Sequence, residues 1–509
     1  MFEWEYYWKN KNIPSPKGLF GIGHLIDIMK DFKECDNRWK EECGETYGLM
    51  LMGTPELLTT NLDLIREIYV KQFENFIDRE SFSPESTDKD KSLLTSGMFT
   101  KRGEAWRRIR NLCSPAFSSA KMKMFVTFFN QSADKTIEIL EDYFKNNKEV
   151  DMKELCDGMT LDSIFKSIFG YKIDIQEDPD NIVRTYAKKF FNVDIKNPSI
   201  LILILFPYTC YLLRKYFDYH VGTQIEHRFF KDLLSKCLER RRRKLKCHDS
   251  NEAPDFFNVL LHALEEDNKY KDSDEEISFE KATQKQKNKG MSEYEILGQG
   301  FLFLLSGYET TSTSIHFILF MLAYHQEYQD KCREEIFSAL RGKDLNYIDY
   351  ETVNKLDYLE QCIKEGLRMY PPAGRINRVC VNKTTVNGIV FEPGTNVSVS
   401  IFNLHYDENV YLEPDVFNPE RFSSEQKTLR DPLHYLPFGY GPRNCIGMRY
   451  AYLSMKVYLA KLLTKFIFVT CDKSTKLPIR IDSKGITKPS DKLILKVNKV
   501  NDDKVRFFF

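Results

Sequence analysis

The stretch Phe438-Gly439-Tyr440-Gly441-Pro442-Arg443-Asn444-Cys445-Ile446-Gly447 constrains this chain more than any other. Glycines, a proline, an arginine and a cysteine crowd together, and a helical pattern follows at once. Ala451, Met455, Leu459, Leu462 and Phe466 recur at helical spacing, so Cys445 sits where a turn enters a helix. Backbone N–H groups at such an end favour negative charge and stabilise a thiolate over a thiol. Gly439, Gly441 and Gly447 let backbone approach something flat and bulky without a Cβ in the way. Arg443 can face an anionic group on the same object. Haem, a planar metal macrocycle with two carboxylates, meets that description, with Cys445 as its axial sulfur ligand. A lone cysteine in a glycine loop is more often buried and inert; the number of residues in register weighs against that here.

A second centre lies at residues 293–325, long and mostly apolar, with Ser306-Gly307-Tyr308-Glu309-Thr310-Thr311-Ser312 in its middle. An acid and a run of hydroxyls are costly in lipid, so a buried reaction site explains them better than a spanning helix. Gly307 weakens the helical ladder and Thr310 can bond back to the preceding turn, which predicts a local distortion. A hydroxyl beside an acid also offers a proton path to a bound ligand.

The rest of the chain is read as helices at 31–47, 121–147, 152–170, 180–192, 239–246 and 356–369. Strands are predicted at 49–52 and 56–60, and further short ones at 379–381, 385–390, 396–400, 466–470 and 492–496. Asn61 reads as a helix cap. Residues 80–103 read as a long loop, and 265–290 as a charged, solvated insertion. The run 200–213, broken by Pro207 and followed by Arg214-Lys215, is too short to span a bilayer and is read as interfacial. Residues 1–12 are aromatic but interrupted by Glu3 and Glu5. They read as a packed or interfacial segment, or as what remains of a membrane anchor. Lys+Arg and Asp+Glu both total 74, so nothing global argues for nucleic acid. Twelve cysteines without C-x-x-C spacing suggest free thiols in a reducing compartment.

The order Phe-x-x-Gly-x-Arg-x-Cys-x-Gly at Phe438, Gly441, Arg443, Cys445 and Gly447 resembles the haem-binding signature of the cytochrome P-450 family. Gly307-Tyr308-Glu309-Thr310 is similar to the family's glycine–acid–threonine motif, and Ser306 departs from its usual small apolar residue. Trp106 and Arg110, four apart on one helical face, resemble a pair that contacts the haem propionates, and Arg378 resembles a further propionate-binding arginine. Glu365, Arg368 and Arg421 resemble a structural charge network behind the haem loop. The resemblance runs over residues 14–497 and is strongest to the animal drug- and steroid-oxidising branch that includes subfamily 3A.

It implies a mainly α fold with a small, mostly N-terminal-side β region: one large haem-binding body at 13–497, preceded by the segment 1–12 and followed by a tail, 498–509. It also implies a haem-thiolate monooxygenase that inserts one oxygen atom from O2 into a lipophilic xenobiotic, steroid or fatty-acid-like substrate. The cofactor is haem b, and electrons come from NADPH through cytochrome P-450 reductase, with cytochrome b5 as a further partner. The site is the cytoplasmic face of the endoplasmic reticulum membrane, held peripherally or through an anchor. Thr310 and Glu309 take the proton-delivery role, Cys445 holds the iron, and Phe438, Arg443, Trp106, Arg110 and Arg378 bind the haem. Lys101, Arg107, Arg108, Arg443, Arg449 and Lys456 are candidates for a basic reductase-facing surface. Two alternatives stay open: a haem-thiolate isomerase or dehydratase working without reductase, and a non-catalytic haem sensor.

Overall fold

The computed structural model describes residues 3–80, 92–171, 175–191, 202, 206–217, 220, 223–246, 257, 261, 290–483 and 485–501. Residues 200, 201 and 203–205 of the expected apolar run at 200–213, nearly all of the insertion at 265–290 and residues 502–509 of the C-terminal tail lie outside them. The chain divides into two compact units. One comprises Met1–Glu80, Val126–Thr160 and Glu309–Phe509, the other Ser81–Phe125 and Leu161–Tyr308.

Helices dominate, as expected. The longest are Ser119–Lys145, Met152–Phe169, Gln224–Lys246, Glu293–Tyr324 and Met448–Lys465. The helix expected at 31–47 spans only Phe32–Cys43. Asp31 caps it by accepting the Glu34 N–H, and Gly44 ends it at φ +85°. Tyr47 already belongs to the strand Thr46–Leu51, where it is buried. Asn61 caps its helix as predicted, accepting the Leu64 N–H at 3.0 Å. Pro207 begins the helix Pro207–Phe217, where its missing N–H would be unpaired in any case. Phe206, Tyr208, Tyr216 and Phe217 there are exposed. No helix among the described residues is long and apolar enough to cross a membrane.

The principal sheet has four strands in the order Thr46–Leu51, Thr54–Thr59, Asn396–Ser400, Arg375–Val379. The first pair is a hairpin turned at Met52-Gly53, both at positive φ. Thr54–Thr59 then pairs in parallel with Asn396–Ser400. Half of this sheet therefore comes from beyond residue 370, which corrects the N-terminal-side expectation. Parallel pairing needs no sequence proximity, only a long crossover. Leu57 and Leu58, on opposite faces of one strand, and Val397 and Val399, on one face of its partner, are fully buried. Leu57, Val397 and Val399 share a core with Ile65, Ile68, Tyr69, Phe76, Leu404, Leu433 and Leu436. Trp8 joins that core at 1% exposure, and its indole N–H donates to the Leu49 carbonyl at 2.8 Å. Tyr7, on the same helix Glu3–Lys9, packs against this core, while Tyr6 is exposed. A second sheet pairs Ile494–Lys499 with Phe466–Val469, as expected, and with the two-residue strand Val150–Asp151, too short to announce itself.

Candidate active site

The loop before Met448–Lys465 is shaped by its own backbone. Cys445 N–H donates to the Phe438 carbonyl at 2.9 Å, Asn444 N–H to Gly441 at 3.1 Å, and Gly439 N–H to Leu436 at 3.0 Å. Gly439 and Gly441 both sit at left-handed φ, +73° and +74°. A Cβ on Gly441 would lie 2.1 Å from the Tyr69 carbonyl oxygen, so this glycine answers to the neighbouring backbone as well as to any ligand. Gly447, expected to share the duty, is an ordinary cap residue at φ −86°. Cys445 is the one exposed cysteine among the described residues, where seven others are buried. That removes the inert-core reading. Phe438 packs on Tyr452 with centroids 5.1 Å apart.

Arginines gather beside the loop. Arg443 is 2% exposed, and its Nη1 donates to the Ile77 carbonyl at 2.7 Å and lies 3.8 Å from Asp78. Arg378, 1% exposed, stacks over Tyr69 at 4.6 Å and donates to the Tyr440 carbonyl at 3.2 Å. Arg79, which sequence reasoning missed, donates to the Arg443 carbonyl at 2.5 Å. Burial first, then Arg378 and Arg443, push its pKa well below the ordinary guanidinium value. Three mutually repelling guanidinium groups beside an exposed thiol fit a doubly carboxylated, thiolate-bound macrocycle. Arg79 could have been found only through its place at the edge of the 80–103 loop.

A chain of buried hydrogen bonds backs the loop. Arg368 and Glu365, both fully buried, pair through Nε at 2.7 Å and Nη2 at 2.9 Å. Arg421 Nε reaches the same carboxylate at 3.3 Å, and the Asn418 N–H donates to it at 2.9 Å. The predicted trio is thus together. Arg368 also donates to the carbonyl of His405 at 2.8 Å. His405 returns a bond through Nδ1 to the Arg368 carbonyl at 2.9 Å, and its Nε2 accepts the Leu436 N–H at 2.9 Å. His405 is the link that no motif signalled.

The helix Glu293–Tyr324 runs without interruption through Gly307 and Thr310. Gly307 serves close packing instead: a Cβ there would meet Ile164 Cδ1 at 3.1 Å. Ser306 is exposed and Leu302, Gly307 and Thr310 are half-buried, a one-sided stripe on a helix that is covered elsewhere between Glu295 and Ala323. Glu309 is 2% exposed and meets Lys153 at 3.3 Å and Lys488 at 3.2 Å. In the other unit, Trp106 is buried and Arg110 lies over its ring at 5.9 Å, so the predicted pair shares a face. The proposed basic surface is largely refuted. Lys101, Arg443 and Lys456 are buried, Lys456 against Glu360, while Arg108 pairs with Glu295. Arg107 and Arg449 remain accessible.

Residues 13–497 match the family described as Cytochrome P450. The chain belongs to the cytochrome P450 family. It is 32% identical over 490 residues to cytochrome P450 3A9 of Rattus norvegicus and to cytochrome P450 3A13 of Mus musculus. Each alignment covers 96% of this chain and 92% of the relative. Cytochrome P450 3A14 of Cavia porcellus is 32% identical over 492 residues, with the same coverage. This P450 is a haem-thiolate monooxygenase, an iron-containing oxidoreductase acting on lipophilic substrates of xenobiotic or steroid type. It carries haem b, takes NADPH-derived electrons from a reductase partner, and associates with the endoplasmic reticulum membrane. No finding favours the isomerase or sensor alternatives.

Proposed function

We propose that Cys445 would supply the sulfur that holds the haem iron, and that Arg79, Arg378 and Arg443 would hold the carboxylates of the haem, with Trp106 and Arg110 contributing from their own helix. The carrying observation is an exposed thiol at a helix entrance beside three clustered arginines. Haem held there would supply the activation of dioxygen, and a Cys445 thiolate would tune it. Thr310 and Glu309 move protons: an accessible hydroxyl next to a buried carboxylate can pass a proton from the protein to the reaction side of the helix. Phe438 packs the loop, and Glu365, Arg368 and Arg421 keep it in place.

The enzyme acts at the cytoplasmic face of its membrane. Ten described cysteines are all free thiols, which suits that reducing side. Replacement of Cys445 with alanine tests the central assignment. Loss of the reduced carbon-monoxide band and of turnover is expected, whereas an unchanged band would refute the ligand.

A further inference from the structure

Glu309 is held by two cations in an uneven way. Lys153 and Lys488 both approach its Oε1 as longer ion pairs, at 3.3 and 3.2 Å. Lys153 has a closer partner in Asp157, at 2.6 Å, and donates to the Ser312 hydroxyl at 3.1 Å. Ser312 in turn donates to Asp157, which is 1% exposed. Burial lowers the Lys153 pKa, but Asp157 and then Glu309 more than offset it and leave it raised. The Lys153 and Lys488 side chains keep 23% and 24% exposure, so each joins the buried carboxylate to solvent. Two cations thus face two carboxylates, all within one unit.

We propose that Asp157 and Lys153 are positioning residues for Glu309: Asp157 draws the Lys153 ammonium onto itself and leaves Glu309 loosely held, free to exchange protons with solvent past the two lysine heads. This rests on the proton-handling reading of Glu309. Two electrons from NADPH and two protons convert one atom of O2 to water while the other enters the substrate. When protons reach the wrong oxygen, or arrive late, the same electrons leave as hydrogen peroxide. Without Asp157, both lysines settle on Glu309 and proton exchange slows.

The test compares product formed and peroxide released per NADPH in the haem-loaded, reductase-supplied enzyme, alongside the thermal midpoint. Asp157→Asn lowers product per NADPH several-fold and raises peroxide to match, with the carbon-monoxide band intact. Adding Lys153→Met to Asp157→Asn restores much of the ratio, because the displaced ammonium is gone. A purely structural aspartate would show its loss and rescue in the thermal midpoint alone, with the product-to-NADPH ratio unchanged in all three variants. Ser312→Ala, which loosens the same hold without removing a charge, shifts the ratio the same way by a smaller factor and serves where Asp157→Asn folds poorly. Thermal midpoints of Asp157→Asn, Lys153→Met and the double variant are expected to be non-additive; additivity would overturn the proposed coupling. If Glu309→Gln leaves the ratio unchanged, the proton role of Glu309 fails and the inference with it. If Glu309→Gln changes the ratio while Asp157→Asn and Ser312→Ala do not, that role stands and the inference alone falls.

Discussion

His405 accepts the backbone N–H of Leu436 through Nε2 at 2.9 Å, and so ties the start of the cysteine loop to the Arg368 helix. Only a neutral imidazole can do this, because a protonated ring has no lone pair to offer. Burial lowers the His405 pKa to about 3 and outweighs the bond to the Arg368 carbonyl, which raises it. His316 is lowered to about 3 as well, by burial and then Lys153. In the unfolded chain both titrate near the ordinary value, so the unfolded state binds more protons between about pH 6.5 and 3. Stability is complete above that window and falls as the pH drops through it, by an amount on the order of a few kcal/mol per histidine. Denaturant midpoints at pH 7.5 and 5 should differ less in His405→Gln than in the parent. An equal difference would show that His405 does not carry the effect.

Charge removal in the buried trio should be severe and graded. Glu365→Gln leaves the fully buried Arg368 without its carboxylate, a change worth about 3–5 kcal/mol. Arg421→Met should cost less, since its contact is longer and lies nearer the surface. Thermal denaturation and the yield of haem-loaded protein both report this order, and a larger loss in Arg421→Met would reverse the assignment.

The two loop glycines separate backbone strain from collision. At Gly439 a Cβ has no neighbour closer than 3.9 Å, so Gly439→Ala carries only the left-handed penalty of roughly 1–2 kcal/mol. At Gly441 the same penalty is joined by the overlap with the Tyr69 carbonyl oxygen, and the backbone has to move. Gly441→Ala is therefore expected to be the worse variant by both urea midpoint and haem retention. Equal effects would mean that the approach to Tyr69 matters little.

Arg79→Met should weaken haem retention while leaving the secondary structure unchanged, because Arg79 meets the loop through its side chain, at the Arg443 carbonyl. Haem loss to a haem-free acceptor protein measures this directly. A retention half-life equal to the parent's would remove Arg79 from the carboxylate-binding set.

The sequence was most legible where spacing and chemistry coincide. Cys445 ahead of a helical repeat, the acid at 309 within an apolar helix, and Glu365 with Arg368 three residues apart all lie where periodicity places them. It was least legible where contacts join distant segments. The parallel pairing of Thr54–Thr59 with Asn396–Ser400, and the placing of Lys153 and Lys488 on one carboxylate, leave no local trace. His405 reads as an isolated histidine until its bonds to Arg368 and Leu436 are seen. The reductase-facing lysines and arginines were misjudged for the same reason: charge alone does not reveal that Lys456 is buried against Glu360.

Because the bend at Gly441 is locked against Tyr69 and the segment's first amide is anchored on His405, little freedom remains to be surrendered when the prosthetic group arrives. Assembly then resembles docking into a finished socket rather than folding around a guest, and its affinity escapes the entropic penalty that a floppy cysteine loop would impose.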